Sequence, residues 1–362
     1  MINPAFVRVL AASADDRRGL FVAAARRLGI TERIAEKDFW VCWTLDAMFN
    51  RRPAGAPRLL FKGGTSLSKV FNLIARFSED LDITVFRDDI GHAVSIETLE
   101  ELSGKRRQAR LDAIRDACRE YICGPQHANL VAVADLASQE AGLPPGSIGI
   151  VVDEADPDRQ TLLLWYPSVT AEAEGYVRPA VRIESGAKSA LNPHVPAIIV
   201  PYVAEDLRSA DLAISNITTI EAGRTFWDKV IILHGLRQWF DRRGVLLQGG
   251  QRVSRHYYDV HRFVTSDIGR AAETEITMAI DCARHARAFF GRRDQDLDSA
   301  VAGRFTLAPS PGMVEALRAD YANMIGMIFG TPPDFNAVIE SVTSLEGRIN
   351  TLAAGLRQPS TS

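Results

Sequence analysis

Apolar residues recur at helical spacing from residue 16 to 49, in two stretches separated by Gly29. Thr31 is placed to cap the second stretch, whose apolar stripe runs through Ile34, Val41, Leu45 and Met48. Asp38 falls on that stripe and Lys37 lies beside it. A charge on a buried helix face is costly unless paired, so both are expected to pair with neighbouring structure or to serve a function. The loop from Arg51 to Pro57 ends this helical region. The pattern then predicts a strand over Leu59–Phe61, a helix over Thr65–Leu73 and a strand over Leu81–Phe86. Thr98–Tyr121 reads as one charged amphipathic helix. Residues 125–160 read as irregular, with loop signals at Pro144–Gly146 and Asp156–Asp158. Two strands are expected next, over Thr161–Tyr166 and Val177–Glu184.

The segment Ala187–Pro201 carries three prolines and reads as a connection between lobes. Beyond it the period becomes helical. Helices are expected over Thr225–Arg242, His256–Val264, Glu273–Phe290, Met313–Ile328 and Phe335–Leu356, with a tail over Gln358–Ser362. The fold class is α+β: a mixed lobe over residues 1–195, then a mostly helical lobe over 196–362.

A chain of 362 residues has room for two such lobes with sizeable cores. Its net charge of -3 gives no overall basic balance of the kind that marks nucleic-acid binders, although local basic patches remain open. No apolar run approaches the roughly 18 residues of a spanning helix. The first residues show no signal-peptide core before Asp15–Arg18, so a cytoplasmic protein without a membrane partner is expected. The four cysteines, Cys42, Cys118, Cys123 and Cys282, are too sparse for a disulfide scaffold and have no zinc-ligand spacing.

The chemistry concentrates where short strands flank paired glycines. Gly63 and Gly64 stand between a predicted strand and a predicted helix, where glycine admits close approach of backbone to a ligand and a helix start presents free N–H groups. No Walker-type lysine follows at the right distance. Asp80 and Asp82 stand two apart on the next strand, so their carboxylates share a face. Adjacent carboxylates repel unless a cation lies between them, and Mg²⁺ bound by carboxylates and substrate phosphates suits the pair. Glu184, ending a later strand, is either a surface glutamate or a third metal ligand. Lys229 sits among apolar neighbours and is therefore paired or functional. Asp259 either orients Lys229 or pairs locally with Arg255 four residues earlier. His256 and His261 have no metal-ligand spacing, and His234 reads as a satisfied core or boundary histidine rather than a ligand. Ser78, two residues before Asp80, is either a backbone-satisfied serine or a place where an added phosphoryl group would compete with a triphosphate.

Together these stretches resemble a known family. Phe61–Leu67, Arg76–Asp82, Arg224–Lys229 and Ser254–Asp259, with Glu36–Trp40 near the start, are similar to the AbiEii/AbiGii toxins, nucleotidyltransferase-like proteins of bacterial toxin–antitoxin and phage-defence systems. The resemblance implies a nucleotidyltransferase-type mixed β-sheet lobe with flanking helices, followed by the helical lobe. It implies catalytic Asp80, Asp82, Lys229 and Asp259. Lys62, Gly63, Gly64, Thr65, Ser66, Arg76 and Ser78 would lie at the nucleotide, and Asp80, Asp82 and Glu184 at Mg²⁺, with Mn²⁺ as a substitute. The implied substrate is a nucleoside triphosphate, the implied acceptor an RNA such as a tRNA 3′ end, or a protein, and the implied partner a cognate antitoxin. Two rivals stay open. Asp80–Thr84 also matches the Asp-x-Asp-x-Thr pattern of haloacid-dehalogenase-type phosphatases, although polar residues precede it. A binding protein that keeps the fold without catalysis is the other.

Overall fold

The computed structural model describes residues 3–78, 80–170, 179–207, 211–247 and 253–355. In chain order, α1 (Pro4–Ala11), α2 (Ala14–Leu28) and α3 (Glu32–Asn50) precede β1 (Leu59–Lys62), α4 (Gly63–Lys69) and β2 (Asp80–Val85). Next come α5 (Ile96–Glu101), α6 (Gly104–Tyr121) and α7 (His127–Glu140), then β3 (Gly149–Val152), β4 (Thr161–Trp165), β5 (Ala180–Gly186), β6 (His194–Ile199) and β7 (Ile214–Ile220). The remaining helices are α8 (Ala222–Arg243), α9 (Ser254–Val264), α10 (Asp267–Glu273), α11 (Ile276–Phe290), α12 (Pro311–Met324) and α13 (Phe335–Gly355). The class is α+β, as the residue pattern indicates. The chain divides into two units. One holds Met1–Val70, Phe77–Val94 and Gly104–Thr219; the other holds Phe71–Arg76, Ser95–Ser103 and Ile220–Ser362.

The first unit is built on a seven-stranded sheet of order β3-β4-β5-β2-β1-β7-β6. Strand β2 runs antiparallel to β1 and parallel to β5, and β1 is parallel to β7. Strict alternation sets the two faces. Leu81 and Ile83 of β2, Val181 and Ile183 of β5, and Leu162 and Leu164 of β4 are fully buried on one face. Helices α3 and α6 pack against β5, and α7 against β3. Asp80 and Asp82 project to the opposite face and are half-buried. Helix α3 is buried on every side from Ile34 to Phe49, which is why its charged residues need partners within the protein. Trp40 of this helix stacks on Tyr166 with ring centroids 5.0 Å apart, a contact worth about 0.5–1.5 kcal/mol beyond its area.

The second unit is a helical assembly around α8 and α9, which pack on each other and on α10; α11 adds to α8, and α12 and α13 to α9. Helix α8 ends at Gly244, whose left-handed backbone (φ 70°) lets its N–H close onto Phe240. The short segment before β2 is tied into this unit by its backbone. Arg262 donates to the Leu73 carbonyl at 3.2 Å, and the Phe329 amide to the Ala75 carbonyl at 2.7 Å.

Several elements differ from the sequence expectation. The single helix expected over Thr98–Tyr121 is two, because Leu102 is extended (ψ 141°) where the chain leaves one unit for the other. Residues 125–160 are not irregular: a π-turn over Ile122–Gln126 leads into α7, and β3 follows. The stripe Leu130, Val133, Ala134, Ala137 buries α7 at regular helical spacing. Within Ala187–Pro201, His194–Ile199 forms the edge strand β6. The expected strand start at Val177 and the tail Gln358–Ser362 lie outside the described residues.

Candidate active site

Strand β1 delivers the chain to Gly63, which opens α4 with φ 78°. A Cβ built on Gly63 would stand 1.8 Å from Oδ2 and 2.6 Å from Cγ of Asp82. The Asp82 carboxylate therefore rests against bare backbone, and only glycine leaves it that space. Thr65 donates its hydroxyl to the Asp80 carbonyl at 2.6 Å, and Ser66 to the Gly63 carbonyl at 2.8 Å. Both hydroxyls thus fasten the glycine turn to itself and to β2. Gly63→Ala forces the Asp82 carboxylate aside and places alanine in a left-handed backbone. The expected result is a loss of about 1–3 kcal/mol in a denaturant melt together with loss of any function that needs Asp82.

Register extends the site across the sheet. Lys62, Asp82 and Glu184 lie level on β1, β2 and β5, and Asp80 lies level with Arg182. All five share the face opposite the buried one. Arg182 pairs with Glu184 at 2.6 Å and with Asp153 at 3.2 Å. Glu184 thus stands beside Asp82, with its carboxylate on Arg182. Among the described residues no group of three or more His, Cys, Asp or Glu side chains is arranged to hold a metal ion. Two neighbouring all-oxygen donors, Asp80 and Asp82, still fit a hard divalent cation that takes its other ligands from phosphate and water. Ser78 is half-buried three residues after Ala75.

The first unit also holds a buried ion pair that sequence reasoning left without a partner. Asp38 of α3 binds Lys69, the last residue of α4, at 2.6 Å, and both side chains are 5% exposed. The Tyr202 amide donates to the same carboxylate at 2.7 Å. Burial opposes the charge of Lys69, yet the Asp38 carboxylate holds its pKa above the ordinary lysine value.

The second unit gathers Arg76, Lys229, His256 and Asp259. Arg76 grips Asp259 through Nε at 2.8 Å and Nη2 at 2.9 Å. Lys229 Nζ donates to Oδ2 of the same carboxylate at 2.8 Å and stands 3.2 Å from His256 Nδ1. Asp259 is 0% exposed and Arg76 4%. Burial alone would raise the Asp259 pKa, but the charges and hydrogen bonds of Arg76 and Lys229 hold it well below the carboxylate range. Removal from water, followed by the charges of Lys229 and Arg255, pushes His256 well below the ordinary histidine value. A neutral imidazole accepts the Lys229 proton donor at Nδ1. Of the two readings of Asp259, the pairing with Lys229 is the one found. Arg76 joins it from 183 residues away, which no local pattern signals.

The family model described as Nucleotidyl transferase AbiEii toxin, Type IV TA system, matches residues 46–341. The chain belongs to the AbiEii toxin family. It is accordingly a nucleotidyltransferase of a type IV toxin–antitoxin system, and the phosphatase reading of Asp80–Thr84 falls away. Membership brings a nucleoside triphosphate substrate, a divalent metal and a cognate antitoxin as the general terms of AbiEii action. Among solved structures the chain is similar to MenT4, a nucleotidyltransferase toxin from Mycobacterium tuberculosis H37Rv. The identity is 16% and the TM-score 0.44, over 94% of this chain and 90% of that one. No curated protein matches the chain. Among the described residues of this AbiEii protein, no helix is long and apolar enough to cross a membrane.

Proposed function

We propose that the chain transfers a nucleoside monophosphate from a triphosphate to the 3′ end of an RNA, with tRNA as the acceptor, in the cytoplasm. The observation that carries the reading is the contact of Gly63 backbone with the Asp82 carboxylate, on a sheet face that also presents Asp80, Glu184 and Lys62. Asp80 and Asp82 are the residues that would hold Mg²⁺, or Mn²⁺ in its place, and Glu184, which pairs with Arg182, would be the third carboxylate beside them. Bound there, the metal would neutralise triphosphate charge during in-line displacement. Gly63 and Gly64 admit the phosphates, with Lys62, Thr65, Ser66 and Ser78 around them. The acceptor hydroxyl forms the new bond to the α-phosphorus, the α–β bridging bond breaks, pyrophosphate leaves and the hydroxyl proton goes to solvent.

The sheet unit is the catalytic lobe in this reading. The helical unit holds Lys229 and Asp259, with Arg76 beside them. Two cations share one carboxylate there, and the surplus positive charge suits a phosphate-bearing substrate. The tRNA acceptor rests on the family resemblance. It is tested by incubating the protein with Mg²⁺, total RNA and each of the four α-labelled triphosphates in turn. Label at the 3′ end of tRNA is the expected result. Label confined to protein, or to other RNA, removes the tRNA assignment. Glu184→Gln is expected to weaken transfer by about tenfold, less than loss of either aspartate; unchanged rates would leave Glu184 as the partner of Arg182 alone.

A further inference from the structure

Three consecutive charged residues, Glu36, Lys37 and Asp38, occupy the middle of a helix that is buried on every side. Successive helical residues point about 100° apart, so three neighbours cannot share one partner. They reach three different segments. Glu36 accepts from the Ser168 hydroxyl at 2.6 Å, the Val169 amide at 2.8 Å, the Thr170 amide at 3.3 Å and the Thr170 hydroxyl, all in the loop after β4. The Lys37 ammonium lies 5.6 Å from the centre of the Phe77 ring, three residues before Asp80. Asp38 binds Lys69 at the far end of α4, and Lys69 also donates to the Val200 carbonyl at 2.9 Å and lies 3.8 Å from the centre of the Tyr202 ring.

The pair between Asp38 and Lys69 has a mechanical consequence. Helix α4 is only seven residues long. Its first residue touches the Asp82 carboxylate, its third binds the Asp80 carbonyl, and its last is fixed by Asp38. Lys69 and Gly63 are the two ends of this helix, about two turns apart, so a displacement at Lys69 is carried to Gly63. We propose that Asp38 is a positioning residue of the nucleotidyltransferase site: through Lys69 it sets α4, and with it the placing of Gly63 against Asp82 and of Thr65 against Asp80. Glu36 holds the neighbouring loop in the same way. The inference rests on the assignment of Asp80 and Asp82 as the metal and triphosphate site. Asp38 and Glu36 precede the span matched by the family model, and Lys69 lies within it.

A purely structural pair and a positioning pair respond differently to apolar replacement. Leucine and methionine fill the space of Asp38 and Lys69 without burying charge, so the double variant Asp38→Leu/Lys69→Met keeps or raises the melting temperature. It loses the directed contacts that fix the end of α4. Binding of inorganic triphosphate with Mg²⁺, measured by calorimetry, then reads the site without reference to a base or acceptor. The expected result is wild-type melting with affinity reduced by about tenfold or more, while Asp82→Asn abolishes binding. Wild-type affinity in a double variant that melts normally, with Asp82→Asn still inactive in binding, overturns the positioning role and leaves the site assignment standing. Wild-type protein that does not bind, or Asp82→Asn that binds normally, overturns the site assignment and the inference with it. If the double variant fails to fold, Lys69→Arg takes its place: the wider guanidinium keeps the charge but cannot keep the geometry of the ammonium. Its affinity must fall at unchanged melting temperature, and normal affinity overturns the proposal.

Discussion

Asp82→Asn yields a folded protein that transfers no nucleotide, and its expression does not arrest growth where the wild-type protein does. The argument starts from β2. Its alternation sends Leu81 and Ile83 into the core and Asp80 and Asp82 to the other face. Neither aspartate is part of the apolar packing. Removing one charge relieves repulsion between them, so the melting temperature stays level or rises slightly. Transfer depends on both carboxylates and falls by on the order of 10³ or more. Asp82→Glu is expected to be no better. The native carboxylate already lies against Gly63, where a built Cβ meets Cβ of Asp82 at 2.9 Å, and a longer arm has nowhere to place its charge. Rates per folded molecule near wild type in either variant would remove Asp82 from the site.

The second large effect belongs to Asp259, and it is an effect on stability. Asp259→Ala leaves Arg76 and Lys229 facing each other in a buried place with no carboxylate between them. Breaking such a pair by removing one partner costs about 3–5 kcal/mol, and urea unfolding should show it. Lys229→Met behaves differently, because Arg76 still grips Asp259 through two hydrogen bonds. It strands no carboxylate, keeps the apolar stem, and should cost roughly 1 kcal/mol or less. If Lys229 serves phosphate, transfer nevertheless falls by about 10²–10³. A large drop in melting temperature with normal transfer per folded molecule would make Lys229 structural instead. The pH dependence follows from the depressed pKa of Asp259. Its contribution is complete above the ordinary aspartate value of about 3.9 and is lost only as pH falls through the lower folded value. In Asp259→Ala this acid-sensitive part of the stability curve should disappear.

The elements that carry the site were legible because they are local. Paired glycines after an apolar strand, and alternation around Asp80 and Asp82, each make sense within a few residues. The need for a partner at Asp38 was legible too, since it lies on an apolar stripe. Its partner was not: Lys69 is 31 residues away at the end of a short helix. The family resemblance implies Arg76 at the nucleotide, and nothing in the sequence near Arg76 signals that its guanidinium also holds Asp259. The helix over His127–Glu140 was hidden by the prolines and aspartates that follow it, which are true loop signals for the turns around β3. Strand β6 was hidden in the same way, by prolines that an edge strand tolerates.

The most direct test of nucleotidyl transfer at this face is to follow both halves of the triphosphate together. Wild-type protein with Mg²⁺, total RNA and a labelled triphosphate should release one pyrophosphate for each nucleotide joined to RNA, and Asp82→Asn should do neither. Release of inorganic phosphate without label on RNA, or equal transfer by wild type and Asp82→Asn, would contradict the account.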